Sequence, residues 1–277
     1  MCTFRPNELR ISVIGAGKIG EALARRLLEN GYEELIATCR SEERERELRA
    51  SGIPAIRDNR YAVEHSDVVV ISVKPFQVAG VLKEVRDLVD YDKLLISVAA
   101  GVTSDFVERV LGREARVIRA MPNINAVVGE SVTALARGAH AREEDMEIAK
   151  EIFGTVGHCV EVEERLLDAI TAYSGSGPAY ALVFIEAMVQ AGLKTGIPRD
   201  LSLLLAAYTL SGTARLLLET GRHPAELRDL VTTPGGVTIE AIHVLERSGF
   251  RAMLMDAVHE ALKKSLQIRE LLTKSAE

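Results

Sequence analysis

The chain has no tryptophan, and aromatic residues make up only 4% of it. Platforms for stacking bases therefore lack material. Cysteine is scarce too: Cys2, Cys39 and Cys159 are scattered and odd in number. That excludes a disulfide framework or a Cys-x-x-Cys metal site and fits a reducing cytoplasm. His65, His140, His158, His223, His243 and His259 show no metal-ligand spacing, and no paired carboxylates or nucleophile–histidine arrangement stand out. No metal is expected. Positive charge is in deficit, with 34 Lys plus Arg against 40 Asp plus Glu and a net charge of −6. Such a surface repels phosphate backbones and argues against nucleic acid as a partner. Met1 to Arg10 has no hydrophobic run behind its charges, so no signal peptide is expected. The one long apolar stretch, Leu201 to Leu218, carries Ser202, Tyr208, Thr209, Ser211, Gly212, Thr213 and Arg215. A membrane span needs about 20 mostly apolar residues; a buried helix is expected instead, and no membrane partner.

What is present is 277 residues, 47% apolar and 27% charged, enough for two cores. Short β-branched runs occur at Arg10–Ile14, Leu35–Thr38, Val68–Val73, Leu94–Val98 and Val117–Ala120, with further strands expected at Ser131–Ala136 and His158–Val162. Helical stripes lie between them, such as Ile19, Leu23 and Leu27, and Glu143–Phe153 reads as a helix. Val68 to Ile71 is apolar without alternation, as in a parallel strand covered on both faces. Strands alternating with helices predict an α/β domain with a parallel sheet. From about Glu163 only helical patterns remain. The boundary is placed at 164, giving a nucleotide-binding domain over 1–164 and a helical domain over 165–277. Two helices of the latter, Ala179–Leu193 and Leu201–Leu218, are apolar nearly all round. Helices of that kind must be buried, which predicts a second copy of the chain against them, a homodimer; a compact monomeric bundle is the alternative.

Gly15-Ala16-Gly17-Lys18-Ile19-Gly20 follows the first strand and opens an amphipathic helix, the context in which G-x-G-x-x-G binds a dinucleotide. Gly15 permits the tight turn, Gly17 the approach of a pyrophosphate, and Gly20 close helix–strand packing. The helix N-terminus adds unpaired N–H groups and a positive dipole end. The second strand ends Thr38-Cys39-Arg40-Ser41, without the acid that grips the ribose of NAD. Arg40 and Ser41 could meet a 2′-phosphate, which favours NADP(H) over NAD(H); Arg40 could instead belong to the solvated charge run Glu42–Arg49. Val73-Lys74-Pro75, Ala99-Ala100-Gly101 and Met121-Pro122-Asn123 end three successive strands and predict a wall for a flat ring. Lys74 there is either a functional amine or merely solvated. Ser174-Gly175-Ser176-Gly177-Pro178 interrupts a helical region, for ligand approach or for a helix crossing. Val231 to Thr238, with Pro234-Gly235-Gly236, precedes a helix and could form an amide nest for a carboxylate, with the Thr238 hydroxyl beside it. A plain helix start capped by Thr233 is the alternative.

Together these segments resemble pyrroline-5-carboxylate reductase, the family that completes proline synthesis. The resemblance runs from about Arg10 to Glu270, and Ser174–Tyr180 and Val231–Ile239 are its most specific parts. It implies an N-terminal Rossmann-type dinucleotide-binding domain and an all-α C-terminal dimerisation domain, with dimers that often assemble into decamers in the cytoplasm. It implies NADPH- or NADH-dependent hydride transfer to the C=N bond of a cyclic imine carboxylate. By position, Gly15 through Gly20 would hold the pyrophosphate, and Arg40, Ser41 and Asn59 the adenosine end. Val73, Lys74, Pro75, Ala99, Ala100 and Gly101 would line the path to the nicotinamide. Thr233, Gly235, Gly236, Val237 and Thr238 would bind substrate, in a pocket completed by the paired helical domain, with Thr238 as the catalytic hydroxyl on the ring nitrogen. The chain departs from the family pattern at Ile19, at Ile124-Asn125, where threonine–proline is usual, and at Thr233, where serine is common. The rivals are a related imine or β-hydroxyacid oxidoreductase and a non-catalytic NADP(H)-sensing scaffold.

Overall fold

The computed structural model describes residues 9–275, so Cys2 and nearly all of the Met1–Arg10 start lie outside the described residues. β1 (Ile11–Ile14) leads into α1 (Lys18–Glu29), β2 (Leu35–Thr38) into α2 (Glu42–Ala50), and β3 (Ala55–Ile56) into α3 (Asn59–Glu64). β4 (Val68–Ile71) leads into α4 (Pro75–Val85) and β5 (Leu94–Ser97) into α5 (Ser104–Leu111). β6 (Arg116–Met121) passes through a 3-10 turn, Ile124–Val128, to β7 (Ser131–Arg137), α6 (Glu143–Gly154) and β8 (Gly157–Glu161). The strands form one sheet in the order β3-β2-β1-β4-β5-β6-β7-β8. The expected α/β architecture is present.

The uninterrupted apolar strands are explained by their two buried faces. Within β4, Val68 and Val70 pack into the cluster that holds Leu23, Leu27 and Phe153, while Val69 and Ile71 pack into the one that holds Leu82, Phe106 and Val107. Each side chain of the run points alternately into one of two cores, so no polar position is left.

Three details differ from the sequence reading. β3 was not expected: two residues leave no pattern to read. β4 ends at Ile71 rather than Val73, because the Ser72 N–H makes the last bond to Ile14 O (2.8 Å) before the chain turns into α4. β7 runs antiparallel to β6, although every other neighbouring pair is parallel. A parallel return needs a crossover of roughly a dozen residues or more, and the short 3-10 turn is too brief for one.

After β8 come the short helix α7 (Leu167–Ile170) and a π turn, Thr171–Gly175, then α8 (Gly177–Lys194), α9 (Arg199–Thr220), α10 (Pro224–Leu230), α11 (Val237–Arg247) and α12 (Phe250–Ser275). Two compact units result. One keeps the chain as far as Ser176 and regains it from Ala261; the other is Gly177–Glu260. The division expected at 164 ignores this return: Ile268 and Leu272, near the end of α12, pack into the core cluster on one face of the sheet.

In the second unit α8 and α9 approach closely where a Cβ on Gly192 would lie 2.2 Å from Ser202 Oγ. Phe184 and Phe250 pack as a tilted pair, 6.0 Å between centroids. Yet α8 buries only Val189, and α9 only Ser202 and Ala206. Leu182, Val183, Leu203, Leu204, Leu205 and Leu216 stay exposed in the single chain. By length and composition α9 is also long enough to cross a membrane, so what covers these helices lies outside one chain.

The β7–β8 pairing depends on Gly157, whose φ is +145° and whose added Cβ would fall 2.0 Å from Ser131 O. Gly157→Ala is expected to destabilise the first unit by at least about 1–3 kcal/mol, lowering the midpoint by about 2–4 °C per kcal/mol. Differential scanning calorimetry showing no change would contradict this reading of the sheet edge.

Candidate cofactor and substrate sites

The turn from β1 into α1 is shaped by contact with the end of β4. Gly15 has φ +90°, and a Cβ there would sit 2.5 Å from Val73 Cγ1 and 3.1 Å from Val73 N. Its N–H donates to Thr38 Oγ1 (3.1 Å), and the Ala16 N–H to Thr38 O (2.7 Å). Gly17 is the N-cap of α1 with no side-chain cap, and a Cβ on it would meet nothing within 4 Å. The helix thus begins with uncapped amides beside open space, the arrangement that receives a phosphate. Gly20 is buried behind the turn, where a Cβ would lie 2.7 Å from Gly15 O. Its part is packing.

The tips of β4, β5 and β6 join this turn around one cavity of about 1290 Å³. Of the positions expected from the sequence, Gly15, Ala16, Gly17, Lys18, Ile19, Arg40, Ser41, Asn59, Val73, Lys74, Pro75, Ala99 and Ala100 line it. Gly20 and Gly101 do not. Gly101 is buried against the last helix, with a built Cβ 3.3 Å from Arg269 N, so close packing accounts for it. Met121, Pro122, Asn123, Ile124 and Gly175 do line the cavity, which places two further motifs on its wall.

Five cations, Lys18, Arg40, Arg44, Arg57 and Lys74, line the cavity against one carboxylate, Glu84. In a chain of net charge −6 that local excess points to an anionic ligand. Arg40 makes no ion pair among the described residues. The glutamates of the charge run go elsewhere, Glu42 to Arg46 and Glu45 to Arg49 and Arg57. Arg40 instead donates to the Gln77 amide oxygen at 2.8 Å, with that amide oriented to accept. Ser41 caps α2, accepting from Arg44 N at 3.2 Å. Asn59 accepts from Thr38 Oγ1 (2.7 Å) and donates to Glu84 (3.0 Å), extending the chain of bonds that starts at the Gly15 N–H.

Sequence reasoning missed Arg44, which lay in a run of alternating charges with the pattern of a solvated helix face. Its Nε and Nη2 donate to Ala16 O at 3.3 and 3.2 Å, Nη2 also to Glu21 at 2.5 Å, and Nη1 to Glu47 at 2.9 Å. It therefore holds the one carbonyl of the glycine turn that would otherwise be free to face an anion. The same bonds hold the Glu21 carboxyl below the usual carboxylate range, chiefly through the hydrogen bond from Arg44. The Cys39 thiol, also in the cavity wall, is pushed up by burial. Such a thiol is a poor nucleophile.

In the second unit the loop before α11 has its N-cap at Gly236, with no side-chain cap. Thr233 does not cap α11. Its carbonyl accepts from the Gly236 N–H (3.0 Å), and its Oγ1 would lie 2.3 Å from a Cβ on Gly236, so only glycine leaves the turn this tight. Val237 is exposed and Thr238 half-buried. Thr238 Oγ1 has no hydrogen-bond partner among the described residues.

A cationic cavity at the carboxyl ends of the strands, where the order reverses between β1 and β4, places the chain among the dinucleotide-binding proteins of doubly wound topology. Comparison with known proteins narrows this. Residues 10–101 match the family described as NADP oxidoreductase, coenzyme F420-dependent, and residues 164–268 match pyrroline-5-carboxylate reductase dimerisation. A pyrroline-5-carboxylate reductase of Methanosarcina acetivorans is 42% identical over 263 residues, 94% of this chain and 97% of that protein. The chain belongs to the pyrroline-5-carboxylate reductase family. The solved structure of a member from Coxiella burnetii superposes with a TM-score of 0.88 at 34% identity, covering 94% of this chain and 98% of that one. One from Plasmodium falciparum with NADP bound gives 0.86 at 28% identity, with 95% and 99% covered.

The departure at Ile124-Asn125 has a structural consequence: the Asn125 N–H donates to Asn123 Oδ1 (3.1 Å), a bond a proline at 125 could not make.

Two predictions follow from the arginines. Arg44→Met should weaken NADPH and NADH alike, by roughly tenfold for the loss of charge-assisted bonds to the loop, whereas Arg40→Met should weaken NADPH alone. Fluorescence titration with both nucleotides separates the cases, and an NADPH-selective loss at Arg44 would show direct contact with the extra phosphate. Because the folded carboxyl of Glu21 titrates below its unfolded value, its contribution is present above about pH 4.3 and lost as pH falls through the folded value. Glu21→Gln should therefore cost about 0.5–1 kcal/mol at pH 7, with the difference from the parent shrinking in urea unfolding as pH falls below the unfolded carboxylate value.

Proposed function

We propose that this chain reduces 1-pyrroline-5-carboxylate to L-proline with NADPH as the preferred hydride donor and NADH as a weaker one, as a homodimer in the cytoplasm. The observation that carries the reading is the convergence of the glycine turn and three strand tips on one cationic cavity in a chain of this family. The residues fit the dinucleotide: the uncapped start of α1 beside Gly17 would take the pyrophosphate, and Arg40 and Ser41 the 2′-phosphate. Asn59 would stand at the adenosine ribose. Val73, Lys74, Pro75, Ala99 and Ala100 would line the nicotinamide end. When bound, the cofactor supplies the hydride.

The remaining work falls to the loop before α11. Its substrate is an anion at one end and an imine at the other. The backbone amides at Gly235 and Val237 would hold the carboxylate, while the bond from the Gly236 N–H to the Thr233 carbonyl keeps the turn tight. The Thr238 hydroxyl, without a partner among the described residues, can both donate and accept, so it would orient the ring nitrogen and keep its proton there while the C=N carbon takes up the hydride pair. A protonated imine is electrophilic enough that positioning and modest electrostatic help suffice. That accounts for a site without a strong acid or base.

The helical domain, residues 165–277 by the sequence, would carry dimerisation and substrate binding. The exposed leucines of α8 and α9 support a second copy as their cover, since apolar faces of that extent are seldom left to water. Relatives at 42% identity favour the reductase over a β-hydroxyacid oxidoreductase or a nucleotide sensor.

The test is oxidation of NADPH at 340 nm on addition of the five-membered imine acid, compared with NADH. Thr238→Ala should lower kcat by about tenfold or more with nucleotide affinity unchanged. Full activity in that variant would remove Thr238 from the chemistry.

A further inference from the structure

The motifs Met121-Pro122-Asn123 and Ser174-Gly175-Ser176-Gly177-Pro178 were singled out by the sequence, and the proposed reaction gives neither a role. The structure joins them. Asn123 is 6% exposed, and each of its polar groups has a defined task, the main-chain carbonyl accepting from the Ala126 N–H (3.1 Å). Its N–H donates to Ser131 Oγ (3.0 Å), its Oδ1 accepts from the Asn125 N–H (3.1 Å), and its Nδ2 donates to Ser174 O (3.1 Å).

The last bond answers a defect written into the chain. In an α-helix the carbonyl of residue 174 accepts from the N–H of residue 178, but Pro178 has no N–H. The turn before it is already widened to π spacing, with the Ser176 N–H donating to Thr171 O (3.0 Å). Such single π turns occur often at functional sites. Here Gly175 of that turn lines the cofactor cavity together with Met121, Pro122 and Asn123, and a Cβ on Gly175 would lie 2.8 Å from Met121 Cε.

We propose that Asn123 is a positioning residue for hydride transfer: its amide replaces the donor Pro178 lacks, and so holds the π turn Thr171–Gly175 against the strand tip Met121–Asn123 to form one rigid wall of the cavity. The proposal rests on the reductase reading for its catalytic consequence, but not for the wall itself. Ser174 is half-buried, and a carbonyl shielded even in part from water loses stability without a donor, so removing Nδ2 frees the turn to reorganise. A displaced wall alters the approach of the reacting groups more than the grip on a nucleotide held mainly at the far glycine turn.

Asn123→Asp keeps the acceptor for Asn125 and removes the donor; Asn123→Ala serves if the buried carboxylate prevents folding. Either should lower kcat by about ten- to a hundredfold, with the NADPH dissociation constant within about twofold of the parent. Without nucleotide or substrate, amide hydrogen exchange at Gly175 and Ser176 should quicken at least about tenfold. Pro178→Ala restores an N–H four residues beyond Ser174, so adding it to Asn123→Ala should recover most of kcat and the exchange protection. Unchanged exchange at Gly175 and Ser176 in both single variants, or a kcat loss that Pro178→Ala does not relieve, would overturn the proposal. Inactivity of the unsubstituted chain on the imine would instead defeat the reductase reading and leave the exchange result to judge the wall.

Discussion

At the first glycine of the turn the main chain passes so close to the tip of β4 that a Cβ on Gly15 would sit 2.5 Å from a Val73 methyl. That approach sets the position of α1, whose uncapped first turn opens toward the cavity and which is pinned from the other side by Gly20. It also brings the Thr38 tip of β2 within bonding distance of both Gly15 and Ala16, so three strands are registered by one backbone contact. The cavity lies where they end. Its cationic lining then makes an anion-binding site in a protein whose overall charge would repel one.

Around that contact most polar groups are engaged by specific partners. Arg44 restrains the Ala16 carbonyl, Asn59 links Thr38 to Glu84, and Asn123 meets a carbonyl that Pro178 cannot serve. Few of the tethers share an element with the group they hold. They tie loops at strand ends to helices or turns elsewhere in the chain, stiffening the segments that contact a ligand. The loop before α11 is the contrast. It is small and tightly turned, and the Thr238 hydroxyl has no hydrogen-bond partner among the described residues.

Strands such as Val68–Ile71 were legible because burial on two faces leaves no place for a polar residue, and a run of that kind has few other readings. The glycine turn was legible because its spacing answers a steric need. The direction of β7 could have been inferred from the short stretch before it, since only an antiparallel return fits so few residues. Arg44 could not be told from its neighbours Arg46 and Arg49 by pattern. All three lie in one run rich in glutamates, and only the fold decides which one reaches the glycine turn. Gly101 was read as lining the cofactor path and proves to be a packing residue against α12, a contact more than 160 residues distant in sequence.

The amino-acid order alone determined the alternation of strands and helices, the dinucleotide turn and the change to an all-helical second half. Each of these is local, expressed within a dozen residues by periodicity, by glycine or by proline. Family membership was legible for the same reason, in two short motifs whose residue types are rarely combined. Only the tertiary structure decided which arginine restrains the turn, that the last helix returns to the first core, and that Asn123 supplies the donor missing at Pro178. Those are encounters between distant segments, and the hydrogen-bonding capacity of a side chain does not say which distant carbonyl the fold will bring to it.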